Sequence, residues 1–148
     1  MPAGFLKKLL GPTTAATLPP EDARSAIAAV LVMAARADGA YAAEEQAMID
    51  GVLAQRYGLA ADKAAALRAD GEGAEVGAVD LYQFTKAIKA AVPYEDRSLV
   101  LEAVWRVVLA DAERNPMEDT LMRGLADRLG LTDRDSALAR QRVSAAKG

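Results

Sequence analysis

The stretch Ala35-Arg36-Ala37-Asp38-Gly39-Ala40-Tyr41-Ala42-Ala43-Glu44-Glu45 decides the fold, because it recurs later in the chain. Its counterpart is Val108-Leu109-Ala110-Asp111-Ala112-Glu113-Arg114-Asn115-Pro116-Met117-Glu118. In each, an apolar helix ends in Ala-Asp and a carboxylate returns seven residues later, at Glu45 and Glu118. Each then runs into an apolar pair, Met48-Ile49 or Leu121-Met122, and closes on Gly-Leu, at Gly58-Leu59 and Gly130-Leu131. An apolar helix, an acidic connection and a second helix make one supersecondary unit, so the chain carries two related helix-loop-helix copies. Two copies fall short of a solenoid.

The rest of the chain is read outward from these units. Before the first lies a helix from about Pro20 to Asp38, with Ala23, Ile27, Val30, Leu31 and Ala34 at helical spacing. Pro19-Pro20 prepares its start, and Glu21 and Asp22 complement the dipole of its first turn. Gly39 supplies its stop. A second helix starts near Ala42 and carries Met48, Ile49, Val52 and Leu53 as far as Tyr57-Gly58. An alanine-rich third follows Ala60-Ala61-Asp62 and is expected to end in an acidic glycine loop, Asp70 to Gly77. Asp80 reads as the N-cap of a fourth, holding Leu81, Phe84, Ile88 and Val92.

Pro93 is expected to open a fifth helix, where Leu99, Val100, Leu101, Val104, Trp105, Val107, Val108 and Leu109 are apolar on nearly every side. Such a helix belongs at the centre of a core. Asn115-Pro116 opens a sixth, to about Leu129. Thr132, with Asp135 three residues on, opens a seventh that runs to about Ala146. Short connections between helices imply antiparallel neighbours. The expected fold is all-α: a compact bundle of about seven helices with two related acidic helix-loop-helix units. Residues 1–19 read as a leader and a linker, the linker being the proline- and threonine-rich Gly11 to Pro20. Residues 20–148 read as one domain.

Composition narrows the chemistry. The 148 residues suffice for one hydrophobic core, and 52% hydrophobic content argues against disorder. Alanine is abundant and aromatics are 5%, a bias that favours helices. The formal charge of −3, with Lys and Arg scattered among acids, leaves no electrostatic footprint for nucleic acid. With no cysteine there is no disulfide, no thiolate nucleophile and no metal ligation through sulfur. With no histidine, the usual imidazole base and ligand are absent. Any chemistry must run on carboxylates, hydroxyls, amides, Lys and Arg.

No apolar run approaches the ~20 residues needed to cross a bilayer, and the Phe5-Leu6-Lys7-Lys8-Leu9-Leu10 stretch is interrupted by its lysines. A cytoplasmic protein with a loosely packed leader is expected. The alternative is an amphipathic foot, Phe5 to Leu10, touching the inner surface of a membrane.

The two Ala-Asp units, each answered by an acidic helix start, resemble the pattern of the TerB-like family, named for tellurite resistance. A related pattern occurs in the TerB-like region of the DjlA co-chaperones. The resemblance spans about Glu21 to Val143 and includes the middle block Asp80-Leu81-Tyr82-Gln83-Phe84-Thr85 and Tyr94-Glu95-Asp96-Arg97, which looks like the family's bacterial branch. It implies a seven-helix fold, no established catalytic activity, and an acidic site proposed to hold a metal ion. The motif positions carried over are Asp38, Glu45, Asp111 and Glu118. Ala112 departs from the pattern, standing where the first unit has Gly39.

Residue chemistry speaks to the same acids. Asp38 and Asp111 fall near helix C-termini, where the dipole disfavours negative charge. A cation bridging Asp38, Glu45, Asp111 and Glu118 would compensate, with Glu44, Glu113 or Asp119 as further candidates. Ligands made only of oxygen select Ca²⁺, Mg²⁺ or Mn²⁺. The alternative is ordinary: Glu44, Glu45 and Glu118 as first-turn acids, and the aspartates neutralised by Arg36, Arg106 or Arg114.

Elsewhere, the segment from Gly71 to Gly77 lacks the spacing and the Lys-Ser/Thr of a nucleotide loop. Trp105 reads as a core residue. The serines have no histidine to activate them. Paired carboxylates have few aromatics to stack a sugar. Two functions follow. The first is a non-enzymatic domain that binds a divalent cation in metal or oxyanion stress. The second is a metal-free helical adaptor for protein partners, placed at a membrane surface through Phe5 to Leu10.

Overall fold

A computed structural model describes residues 20–37, 41–77, 81–110 and 116–147. Within them the chain forms seven α-helices: α1 (Pro20–Arg36), α2 (Ala43–Tyr57), α3 (Ala61–Gly77), α4 (Leu81–Ala91), α5 (Arg97–Val108), α6 (Pro116–Arg128) and α7 (Asp133–Lys147). A 3₁₀ turn, Tyr94–Asp96, precedes α5. The described residues contain no strand. The expected all-α bundle of about seven helices is the fold.

The bundle is organised around α1 and α5. Helix α1 packs against α2, α3, α4 and α5, while α5 packs against α1, α2, α6 and α7. From Ala26 to Val32 every residue of α1 is buried, on all sides of the helix. The stripe Ala23, Ile27, Val30, Leu31 and Ala34 is therefore only part of its buried surface. Ala26, Ala28 and Ala29 supply the rest, and their small side chains let neighbouring helices approach closely. Helix α5 shares the centre rather than holding it alone. Val100, Leu101, Ala103, Val104, Trp105, Val107 and Val108 are buried, but Leu99 is 44% exposed and marks a solvent face.

The expected glycine loop between Asp70 and Gly77 is instead the second half of α3. Glycine is among the poorest helix formers, costing about 1 kcal/mol against alanine. Tertiary contact decides otherwise. A Cβ on Gly71 would lie 2.7 Å from both the carbonyl carbon and the Cβ of Ala28, and 2.8 Å from the amide nitrogen of Ala29. The glycine lets α3 lie directly on the backbone of α1.

Pro93 does not open α5. The chain first makes the 3₁₀ turn, with the Asp96 N–H donating to the Pro93 carbonyl at 2.9 Å. Arg97 then becomes the first residue of α5, and its side chain explains the position. Its Nε donates to the Val92 carbonyl at 3.1 Å and its Nη2 to Lys89 at 3.3 Å, both at the end of α4. Its Nη1 donates to the Leu129 carbonyl, just past α6, at 3.3 Å. One guanidinium thus serves the carbonyl-rich ends of two helices, which have no partners within their own helices.

The repeat is structural as well as sequential. The helix before each acidic connection ends with the same tight turn, Ala37 N–H to Ala34 O and Ala110 N–H to Val107 O, both at 3.3 Å. The helix after each closes on a left-handed glycine, Gly58 at φ 64° and Gly130 at φ 77°. The leucine beyond it donates back across five residues, Leu59 to Ala54 at 3.0 Å and Leu131 to Ala126 at 2.8 Å. Both ends are Schellman closures, in which glycine adopts the left-handed conformation without a Cβ clash. The seventh helix starts with the expected capping box: Thr132 N–H donates to Asp135 Oδ2 at 2.9 Å, and Asp135 N–H to Thr132 Oγ1 at 3.0 Å.

Candidate functional site

The first acidic unit is held at both flanks by α3. On the α1 side, the Arg36 guanidinium donates from Nη1 to Glu75 Oε1 at 2.9 Å. On the α2 side, the Tyr41 hydroxyl donates to Glu72 Oε2. The two flanks also touch each other, the Arg36 guanidinium lying over the Tyr41 ring at 4.6 Å. Arg68, one turn before Glu72, donates to it from Nη1 at 2.8 Å, and from Nε to Asp50 Oδ1 on α2 at 2.6 Å. Helix α3 thereby ties α1 and α2 together across the connection that contains Asp38.

The electrostatics of this clamp are those of a partly buried, charge-assisted network. Burial, reinforced by the Glu72 carboxylate, pushes the Tyr41 phenol up to about 12. The Tyr41 hydrogen bond, with help from Arg68 and Arg36, holds the Glu72 carboxyl below the usual glutamate range. At neutral pH Tyr41 is therefore a phenol and Glu72 a carboxylate.

Helix α2 opens at Ala42, whose side chain offers no cap. Glu45 substitutes from inside the helix, its Oε1 accepting the Ala42 N–H at 3.3 Å. That distance is at the long edge of hydrogen bonding, so the carboxylate is lightly held. Glu45 is half-buried and Glu44 exposed. Asp38 and Asp111 lie outside the described residues, as do Glu113 and the side chain of Glu118. Among the described residues no three acids gather closely enough to hold a metal ion. Of the expected ligands Asp38, Glu45, Asp111 and Glu118, only the Glu45 side chain lies among the described residues.

Two of the arginines expected to neutralise the aspartates have other partners. Arg36 is paired with Glu75, and Arg106 Nη1 donates to Gln55 Oε1 at 3.1 Å. Arg114 lies outside the described residues. Gln55 is ten residues beyond Glu45 on α2, about 15 Å along the helix axis. The second unit's first helix therefore meets α2 near its far end. Among the described residues, the helices that follow the two acidic connections, α2 and α6, share no substantial packing interface.

Asp50, Arg68, Glu72 and Glu75 are not among the site residues expected from the sequence. A signal for three of them existed. With α3 continued past Asp70, Arg68, Glu72 and Glu75 fall at i, i+4 and i+7, on one helical face. Trp105 is the core residue expected, 5% exposed, with its Nε1 donating to Ser136 Oγ at 3.2 Å.

Among the described residues no helix is long and apolar enough to cross a membrane. The proposed foot, Phe5 to Leu10, lies outside the described residues. Comparison with curated proteins and with solved structures returned no match. A family model described as tellurite resistance protein TerB matches residues 24–141, from the first turns of α1 into α7 and across both acidic units, and the chain belongs to that family.

Proposed function

We propose that this protein is a non-enzymatic TerB domain that binds a divalent cation through Asp38, Glu45, Asp111 and Glu118 and acts in tellurite or metal stress. The observation that carries the reading is the clamp on the first unit. Arg36 and Tyr41, on either side of Asp38, are both anchored to α3, and Arg36 is committed to Glu75. Arg36, the cation nearest to Asp38 in sequence, shares its charge with Glu75, which leaves part of the negative charge of the unit for a bound cation to neutralise. The donor set is all oxygen and suits a hard ion such as Ca²⁺, Mg²⁺ or Mn²⁺. Glu45 can turn toward such an ion at the cost of one long hydrogen bond.

The test is a thermal melt of metal-stripped protein titrated with each ion, beside an Asp38→Asn/Asp111→Asn variant. A rise with one ion that the variant lacks supports the site and identifies the ion. A melt that no ion moves, with the variant as stable as the parent, refutes it. Docking to protein partners would then be the reading to pursue.

A further inference from the structure

A groove of about 210 Å³ lies between α2 and α5, away from the start of α2, lined by Val52, Gln55, Arg56, Leu99, Ala103 and Arg106 and by one carboxylate, Glu102. Its charge is unbalanced. The single carboxylate, Glu102, is held by Arg142 at 2.8 Å. Among the described residues, Arg106 has only the neutral amide oxygen of Gln55. Arg56 stands beside the Tyr57 ring, at 5.6 Å, but Arg24 lies closer over that ring, at 4.5 Å. Among the described residues, neither Arg56 nor Arg106 has a carboxylate partner. The Nε of Arg56 is buried and has no acceptor among them. A buried guanidine N–H without an acceptor is costly, and an anion drawn to the same guanidinium offsets part of that cost.

We propose that this groove binds a phosphate-type oxyanion, free or as a monoester, held by the guanidiniums of Arg56 and Arg106. Planar guanidiniums match the oxygen geometry of phosphate and carry a charge that does not titrate in the physiological range. Gln55 accepts from Arg106 through its oxygen, which leaves its amide nitrogen as a further donor. Val52, Ala103 and the 44% exposed Leu99 form an apolar wall against which the organic part of an ester can rest. The groove exceeds by several times the ~30 Å³ that one water molecule occupies in the liquid. The proposal is independent of the cation site.

The experiment titrates metal-stripped protein with inorganic phosphate and with phenyl phosphate at constant ionic strength, balanced with sodium chloride. Melting temperature and the arginine Nε–Hε resonances are both followed. The expected result is a saturable rise in melting temperature with perturbation of the Arg56 and Arg106 resonances. Affinity falls at least tenfold in Arg106→Gln and in Arg56→Gln, and is unchanged in Asp38→Asn/Asp111→Asn. Arg106→Gln changes a surface side chain and keeps the test valid where Arg56→Gln does not fold. The two probes separate free from esterified phosphate. A response that chloride reproduces, or that survives in Arg106→Gln, overturns the proposal; the arginines would then serve only the C-terminal ends of α2 and α5, whose last turns they occupy.

Discussion

The Arg36 guanidinium lies over the Tyr41 ring at 4.6 Å, joining the last residue of α1 to the approach to α2 across the segment that contains Asp38. Each partner is also tied to α3, Arg36 through Glu75 and Tyr41 through Glu72. Removing the Tyr41 hydroxyl keeps the stacking and breaks the tie to Glu72, along with the hydroxyl's contact with Arg68. Tyr41→Phe is expected to cost about 1–2 kcal/mol, since a hydrogen bond to a charged group is worth more than a neutral one. Urea unfolding measures that loss. A variant as stable as the parent would show that Glu72 is satisfied by Arg68 alone.

The same phenol gives a pH signature. In the unfolded chain Tyr41 ionises near 10, whereas in the fold its pKa is about 12. Between those values the unfolded state has lost a proton that the folded state keeps, so stability falls as pH rises from about 10 to about 12. Below 10 the contribution is fully present. Ultraviolet titration should find a late-ionising tyrosine, and Tyr41→Phe should remove it along with that part of the alkaline loss.

A pair of glycine substitutions tests the second half of α3. Gly71→Ala places a methyl group 2.7 Å from Ala28 backbone and should destabilise by about 1–3 kcal/mol, as overpacking does. Gly73, two residues on, has nothing within 4 Å of the equivalent Cβ. Gly73→Ala should stabilise by up to about 1 kcal/mol through helix propensity alone. The opposite signs are the point. If chemical denaturation found both changes neutral, the segment would be behaving as the loop its composition suggests.

That segment shows where reading the sequence stops. Local propensity sees Gly71, Gly73 and Gly77 among acids and assigns a turn. The reason for a helix is Ala28, more than forty positions away, and no local rule contains it. Missing the helix also hid Glu72 and Glu75, because their alignment with Arg68 exists only on a continuous helix. Helix α1 was underestimated for a related reason: alanine buries well but adds little to a hydrophobic pattern, so a helix surrounded on all sides read as one with a single apolar stripe. The two acidic units were legible because their ends are written in local chemistry. The Gly-Leu closures at Gly58 and Gly130 require a left-handed residue, and glycine declares it. Glu45 was legible as a first-turn acid in the same way.

Arg97 offers a test of how two helix ends are held. Its three nitrogens reach carbonyls at Lys89, Val92 and Leu129, so Arg97→Ala strands acceptors at the ends of both α4 and α6. The expected loss is about 1–3 kcal/mol by denaturant melt. Arg97→Lys should recover only a minor part, because an ammonium cannot span the three positions that the guanidinium fork covers. Full recovery by lysine would mean that charge near the helix ends, rather than the fork, is what matters.

Glu45 joins the fold to the proposed function, and its two roles separate by metal content. In metal-stripped protein its carboxylate accepts one long bond from Ala42 and lies in the first turn of α2. Glu45→Gln should then cost only about 0.5 kcal/mol, the value of a charge at a helix start. With an ion at a hundred times its dissociation constant, the parent gains about 2.7 kcal/mol by linkage. The variant should lose most of that gain, so the gap between the two proteins should widen several-fold on adding the ion. Calorimetry should count one ion per chain for a site shared by Asp38, Glu45, Asp111 and Glu118. Two ions per chain would assign one to each helix-loop-helix unit. A gap that stays the same with and without the ion would leave Glu45 a helix-capping residue and remove it from the ligand set.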